Sequence, residues 1–417
     1  MRNSYLIFLF LLLIACSTTP QGQVVQIQCK ADTSQSYALY VPKHQGPLPV
    51  IYFFDPHGNG ALPVNKYAAL ADTDGFILVG SNNSKNGNDF NTAETIWQTL
   101  NKDVRERCNI DPQRIYLVGF SGGAKVAGYL ALQHPEIKGI IVGGAGLPDG
   151  TPVNNFPFSI TIFAGEGDMN LTDLEALDTA LNHTQTRHRL WLFDGKHEWA
   201  PVDVMNFGFA GLQLDAIREG SQIPGRDSIV RNFAFAAKTQ FQMEVANKRF
   251  YRAYTILNFS WEALEGMPER KWFTDQADSL VHSKELSYEF YQRGELEKRE
   301  SSDKDGFQQH FAQMDTAYWH ETIRDLNALA DPHTPEGQMY QRELAFLSLA
   351  FYSISNRLIQ SGNTDAAARY FVELYKYADP TNPEAWRFSA ILDQKAGDAK
   401  QAEEDLAHSQ ALSAQGH

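Results

Sequence analysis

The sequence predicts an α/β fold, with a doubly wound, mostly parallel sheet over the first half and an all-α region after it. Three observations carry this. Short apolar runs alternate with helix-period segments as far as residue 222. One run, Arg114-Ile115-Tyr116-Leu117-Val118-Gly119-Phe120, ends in a Gly-x-Ser-x-Gly turn that passes directly into a helical pattern. No convincing strand occurs from residue 223 onward, where Ala, Leu, Phe, Tyr, Glu, Gln and Lys dominate.

The elements follow in order. Residues 24–28 and 37–41 read as early strands. Residues 49–54 are continuously apolar, as a strand buried on both faces must be. Strands over 76–80, 114–120, 139–143, 160–164 and 190–193 complete a set of eight. Helical patterns over 64–71, 92–107, 124–133 and 171–181 lie between them. Such interleaving argues for helices on both faces of one sheet, with ligands bound beyond the carboxyl ends of the strands. The domain division that results is 24–222 for the α/β part and 223–417 for the helical part. Residues 293–306 are highly charged and read as an exposed loop or helix end.

The last stretch, near 345–411, carries a repeat. Gly362 is followed by Ala367 and Phe371, and thirty-five residues on Gly397 is followed by Ala402 and Leu406. Phe351 and Trp386 each stand eleven residues before their glycine. This resembles the tetratricopeptide repeat, whose small residues let paired helices pack closely. The competing reading is a helical bundle with coincidental spacing.

Composition narrows the class. The 417 residues are 43% hydrophobic and 21% charged, which is globular. The net charge of −14 argues against nucleic acid and against a basic membrane-surface patch. At the N-terminus, Arg2 precedes an apolar run over 5–14, too short for a comfortable membrane span. Leu13-Ile14-Ala15-Cys16 resembles a bacterial lipobox. The resemblance implies a signal peptide over 1–15, cleavage before Cys16 and lipid on Cys16, with residues 16–23 as a polar tether. The expected location is the cell envelope, outside the cytoplasm. Cys29 and Cys108 are an even pair, either bridged or two small buried hydrophobes.

The chemistry turns on Ser121. A serine hydroxyl needs a base, an orienting acid and donors for the developing oxyanion. The flanking glycines admit a tight strand-to-helix turn that presents the hydroxyl. Downstream, the strand ending near Ala164 runs into Gly165-Glu166-Gly167-Asp168, making Asp168 the favoured acid and Glu166 the runner-up. Of twelve histidines, only His197 lies just past the last strand and downstream of Asp168. Oxyanion donors are expected from Gly122 and from Gly58 or Asn59 in the loop after the third strand. His57, Asn82 and Trp199 are candidate pocket residues, His57 as an orienting group; a solvated turn competes for Asn82 and helix packing for Trp199. No metal and no cofactor is expected: there is no H-E-x-x-H, no paired C-x-x-C and no phosphate-cradling Gly-rich loop.

Taken together, Tyr40-Val41-Pro42, His57-Gly58, Gly119-Phe120-Ser121-Gly122-Gly123 and Gly195-Lys196-His197-Glu198-Trp199 resemble the α/β-hydrolase superfamily. Within it the likeness is to the polyhydroxybutyrate-depolymerase-like and feruloyl-esterase-like carboxylesterases. It spans residues 35–220 and implies Ser121 as nucleophile, Asp168 as acid and His197 as base. Phe53-Phe54-Asp55-Pro56 before His57-Gly58 departs from the family's usual apolar run. The expectation is a membrane-anchored serine hydrolase acting on esters. Two rivals stand beside it: a peptidase on the same triad, and a non-catalytic lipoprotein whose helical repeats bind protein partners.

Overall fold

The computed structural model describes residues 21–362 and 366–414. Cys16 and the leader before it lie outside the described residues. The α/β part comprises β1 (Val24–Gln28), β2 (Ser36–Tyr40), β3 (Leu48–Phe54), α1 (Ala61–Asp74), β4 (Ile77–Ser81), α2 (Phe90–Arg107), β5 (Ile110–Phe120), α3 (Gly122–Gln133), β6 (Ile137–Gly143), β7 (Ser159–Gly165), α4 (Leu171–Leu181), β8 (His188–Phe193) and α5 (Val202–Arg218). The helical part comprises α6 (Arg226–Ala246), α7 (Phe250–Ala263), α8 (Arg270–Val281), α9 (Lys284–His310), α10 (Thr316–Leu329), α11 (Pro335–Gln360), α12 (Ala366–Ala378), α13 (Pro383–Ala396) and α14 (Ala399–Ala414).

One eight-stranded sheet has the order β1-β2-β4-β3-β5-β6-β7-β8. The β1–β2 and β2–β4 pairs are antiparallel and the rest parallel. Side chains alternate between the two faces, as the strand period requires. Val50, Tyr52 and Phe54 of β3 pack with α2, α3 and α4, whereas Ile51 and Phe53 pack with α1 and α5. Local chemistry sets the helix ends. The Asp89 side chain accepts from Thr92 N (2.8 Å) to start α2, and Gly75 in the left-handed region (φ 74°) closes α1.

The core does not stop where composition changes at residue 223. Trp191 stacks on Phe207 (4.1 Å between ring centroids), Phe259 of α7 stands edge-on to Trp191 (5.2 Å), and Phe233 of α6 joins them. Helices α6, α7 and α8 therefore share the core on one face of the sheet. The reason is physical: the β7–β8 end exposes large apolar side chains that α5 alone does not cover. A separate core, built on Trp319, Phe351, Phe371 and Phe388, holds α9 to α13 together. The charged stretch 293–306 is neither loop nor helix end but the middle of α9. Its Glu300 is buried because Arg342 and Lys304 pair with it at 2.6 Å. Cys29 and Cys108 are free thiols, and burial pushes both up to about 11. Among the described residues, no helix is long and apolar enough to cross a membrane.

Glu343 on α11 is fully buried, and neither carboxylate oxygen has a hydrogen-bond partner. Burial, then Asp303 and Glu300, push it up from 4.5 to about 8, against Arg299 and Lys304. Its folded form therefore holds a proton that the unfolded chain releases above 4.5. The stability it lends is complete below 4.5 and is lost as pH rises through about 8. Glu343→Gln is expected to raise the melting temperature by several degrees at high pH and to change it little at acidic pH. Thermal unfolding of both proteins across that range checks this; identical pH profiles would contradict it.

Candidate active site

Three loops leave the carboxyl ends of parallel strands on the same edge of the sheet, with β6 between the first and the second. β5 delivers Ser121, β7 delivers Asp168 and β8 delivers His197. Ser121 sits at φ 53° and ψ −123°, a conformation that costs a non-glycine residue of order 1–3 kcal/mol. Two backbone crossings hold it there. A Cβ at Gly123 would overlap the Phe54 carbonyl, and one at Gly119 would overlap the Gly123 carbonyl. Only glycine fits at either position, which is why the turn reads Gly-x-Ser-x-Gly. The Ser121 N–H donates to Gly143 O (2.8 Å) and so ties the turn to β6.

The three side chains form one hydrogen-bonded line. His197 Nε2 lies 3.0 Å from Ser121 Oγ. His197 Nδ1 lies 3.0 and 3.1 Å from the two oxygens of Asp168. Asp168 is buried and also accepts from Asn170 N (2.9 Å). Phe120 packs on the imidazole at 4.8 Å. Ser121 and His197 are both partly exposed, so a substrate can reach them.

The oxyanion side differs from expectation. The Gly122 N–H makes no hydrogen bond among the described residues, and it opens α3 beside Ser121. Gly58 and Asn59 are otherwise engaged. Gly58 N donates to Asp55 O (3.1 Å), and Asn59 N donates to the Asp55 carboxylate (3.3 Å). His57 N donates to the same carboxylate (2.9 Å), leaving the His57 side chain 76% exposed. Trp199 lines a small cavity together with Phe120, Glu198 and Met205. It is buried against Phe53, Tyr67 and Phe120, with Nε1 donating to Asp55 (2.9 Å). Asp55, the departure noted in the sequence, is thus the buried acceptor that draws this loop inward. Asn82 points away from the site, donating to Gln26 (2.8 Å) and Ser36 (3.1 Å) on the β1–β2 edge. From the same loop, Asn86 instead brings its amide oxygen against Gly122, where an added Cβ would require the Asn86 side chain to move. Asn86 N donates to Pro56 O (2.8 Å), which joins the two loops. The sequence signal for Asn86 was the amide-rich run 82–87 itself, without a means of choosing the residue.

Glu166, the runner-up acid, faces the other way. Its carboxylate lies 3.4 Å from Arg293 and 3.5 Å from Arg252, and Gln338 donates to it (3.3 Å). Its carbonyl accepts from Arg342 Nη1 (2.6 Å), while the rest of that guanidinium holds Glu300. Glu166 N donates to Phe193 O (3.0 Å) and Gly167 N to Gly195 O (2.8 Å), joining the acid loop to the histidine loop. Asp194 in that second loop pairs with Arg249 (2.7 Å) and Arg252 (2.9 Å). Burial alone would raise Asp194, but the two guanidiniums hold it below the usual carboxylate range. No hydrogen bond or ion pair among the described residues joins the helical part to Ser121 or His197; it braces their neighbours. Among the same residues, no cluster of His, Cys, Asp and Glu is arranged to hold a metal ion.

No protein-family model and no curated protein matches the chain. Solved structures resemble about half of it. A hyperthermophilic esterase from the archaeon Pyrobaculum calidifontis is 13% identical, with 53% of this chain and 87% of that one covered at a TM-score of 0.37. A thermostable carboxylesterase cloned from a metagenomic library is 16% identical, with 50% and 92% covered at 0.39. A putative α/β hydrolase from Agrobacterium tumefaciens is 19% identical, with 48% and 99% covered at 0.36.

Arg342→Met would leave the Glu166 carbonyl without its donor and Glu300 with Lys304 alone. The expected loss is about 3 kcal/mol of unfolding free energy by urea titration. Adding Glu300→Gln is expected to recover part of it, because the buried charge is then gone.

Proposed function

We propose that this protein is a serine hydrolase of the α/β-hydrolase type that cleaves carboxylic esters through an acyl-enzyme. The observation that carries the reading is the Ser121–His197–Asp168 line on a strained turn. In this reading His197 takes the Ser121 proton as Oγ attacks the ester carbonyl, and Asp168 fixes the imidazole and balances its charge. The tetrahedral oxyanion is met by the Gly122 N–H at the start of α3, with Asn86 as second donor once its amide turns to present Nδ2 in place of the Oδ1 that faces Gly122. His197 then protonates the leaving alcohol, and a water molecule repeats the sequence to free the acid. The chemistry calls for no cofactor. The partial exposure of Ser121 and His197 suits a bulky ester, as in the polyhydroxybutyrate-depolymerase-like and feruloyl-esterase-like enzymes that the motifs resemble.

The remaining parts of the reading rest on the sequence alone. Lipid on Cys16 would tether the enzyme to the bacterial envelope outside the cytoplasm. The helices over 345–411 would stack as tetratricopeptide-like repeats and offer a surface to a protein partner.

Hydrolysis of p-nitrophenyl esters by the purified chain tests the proposal. Ser121→Ala and Asp168→Asn are each expected to lower kcat by about 10³–10⁴-fold. Undiminished turnover by Ser121→Ala would overturn it, and clear preference for peptide amides would replace esterase by peptidase. For the second donor, Asn86→Ala is expected to reduce kcat about 10²–10³-fold with KM little changed. An unchanged kcat would remove Asn86 from the oxyanion site.

A further inference from the structure

Asn170 stands where the turn after β7 enters α4, and it is the N-cap residue of that helix. An asparagine there ordinarily accepts from a backbone N–H of the first turn. This one makes no capping bond. Its Nδ2 donates instead to Gly144 O (2.6 Å), twenty-six residues away in the loop after β6. Its backbone N–H donates to Asp168 Oδ1 (2.9 Å). One residue thus holds the acid with its main chain and the β6 loop with its side chain.

Gly144 is where that loop meets the imidazole. It lies in the left-handed region at φ 67°, and a Cβ built on it would stand 2.5 Å from Phe120 Cε2 and 2.9 Å from His197 Cε1. Its bare Cα therefore packs on the ring edge between the two nitrogens of the hydrogen-bonded line. The preceding residue, Gly143, accepts from Ser121 N (2.8 Å). The χ2 torsion of a histidine is broad, so its ring needs holding from more than one side. Asp168 holds Nδ1 (3.0 Å), and Phe120 packs on the ring at 4.8 Å. Gly144 stops the Cε1 edge from leaning toward the β6 loop, a movement that would draw Nε2 off Ser121 Oγ. Misplacement by about 1 Å can cost about a hundredfold in rate.

We infer that Asn170 is a positioning residue for His197: by tying the Gly144 carbonyl to the acid turn, its side chain keeps Gly144 against the Cε1 edge of the imidazole. A carbonyl only accepts, so a side chain without the amide donor cannot make this tie. The loop has other anchors further along. Lys125 holds Asp149 (2.7 Å), and Phe156 N donates to Thr186 Oγ1 (2.8 Å). Loss of the Asn170 amide therefore frees the Gly144 end without releasing the whole loop. The consequence for catalysis rests on the serine-hydrolase reading of Ser121; the clamp on the ring does not.

The test follows the His197 Cε1–H resonance by NMR in protein isotopically labelled at histidine Cε1, beside p-nitrophenyl ester turnover at neutral pH. The resonance is identified by its loss in His197→Ala. In Asn170→Ala it is expected to shift and broaden, while the resonances of His310 and His408 in the helical part stay in place. The kcat per serine titrated with a fluorophosphonate is expected to fall about tenfold to a hundredfold with KM little changed. A merely structural role would reduce the fraction of titratable serine and leave the resonance and the kcat per site as in wild type. Asn170→Asp keeps the size of the side chain without the donor; the same outcome is expected, and it decides the matter should Asn170→Ala fail to fold. An unmoved resonance or an unchanged kcat per site in a folded variant would overturn the inference. Should the wild type cleave no ester, the serine-hydrolase reading fails on its own, and the resonance alone decides the clamp.

Discussion

The Arg342 guanidinium joins two parts of the chain that sequence alone reads as separate. One edge donates to the carbonyl of Glu166 and the other holds the buried carboxylate of Glu300. Two residues after Glu166 stands Asp168, whose direction depends on how the turn 165–170 is held. The turn cannot relax outward, because Glu166 is a buried carboxylate set among Arg252, Arg293 and Gln338. A charge in that position is tolerated only while its partners remain. Those partners all come from α7, α9 and α11. The helical part is therefore the back wall of the acid loop, whatever else its outer surface does.

A second constraint acts at the front. Ser121 is strained, and the strain is held by contacts between β3, β5 and α3 rather than by the serine itself. The Phe54 carbonyl against Gly123 fixes the turn, and one residue on, Asp55 gathers the next loop through three backbone amides and Trp199. Since Trp199 also follows His197 by two residues, the loop after β3 and the histidine loop are fastened to each other. Each candidate residue is thus positioned by a neighbour whose own polar atoms are satisfied, the arrangement a preorganised site requires.

Much of this was legible in the residues. Buried parallel strands announce themselves as continuous apolar runs, and all eight lie within a residue or two of where those runs stand, apart from the early start of β5. Ser121, Asp168 and His197 could be singled out because each follows a strand end, and strand ends converge in a sheet of this kind. What stayed hidden depended on direction. No pattern shows that the amides of Gly58 and Asn59 turn toward Asp55, or that Asn86 rather than Asn82 lies against Gly122. The charged run 293–306 looked solvated because its partners, Glu166, Glu175 and Arg342, are distant in sequence. The boundary at 223 was misleading for a related reason. A change of composition marks a change of secondary structure, while the core follows whatever apolar face remains uncovered.

Mapping the adduct of a fluorophosphonate probe by tandem mass spectrometry is the most direct measurement of the central claim, that this geometry makes Ser121 a nucleophile. The account predicts one adduct, on the peptide carrying Ser121, formed far more slowly in a His197→Ala protein whose fold is intact. An adduct on another residue, or labelling that is indifferent to His197, would contradict it.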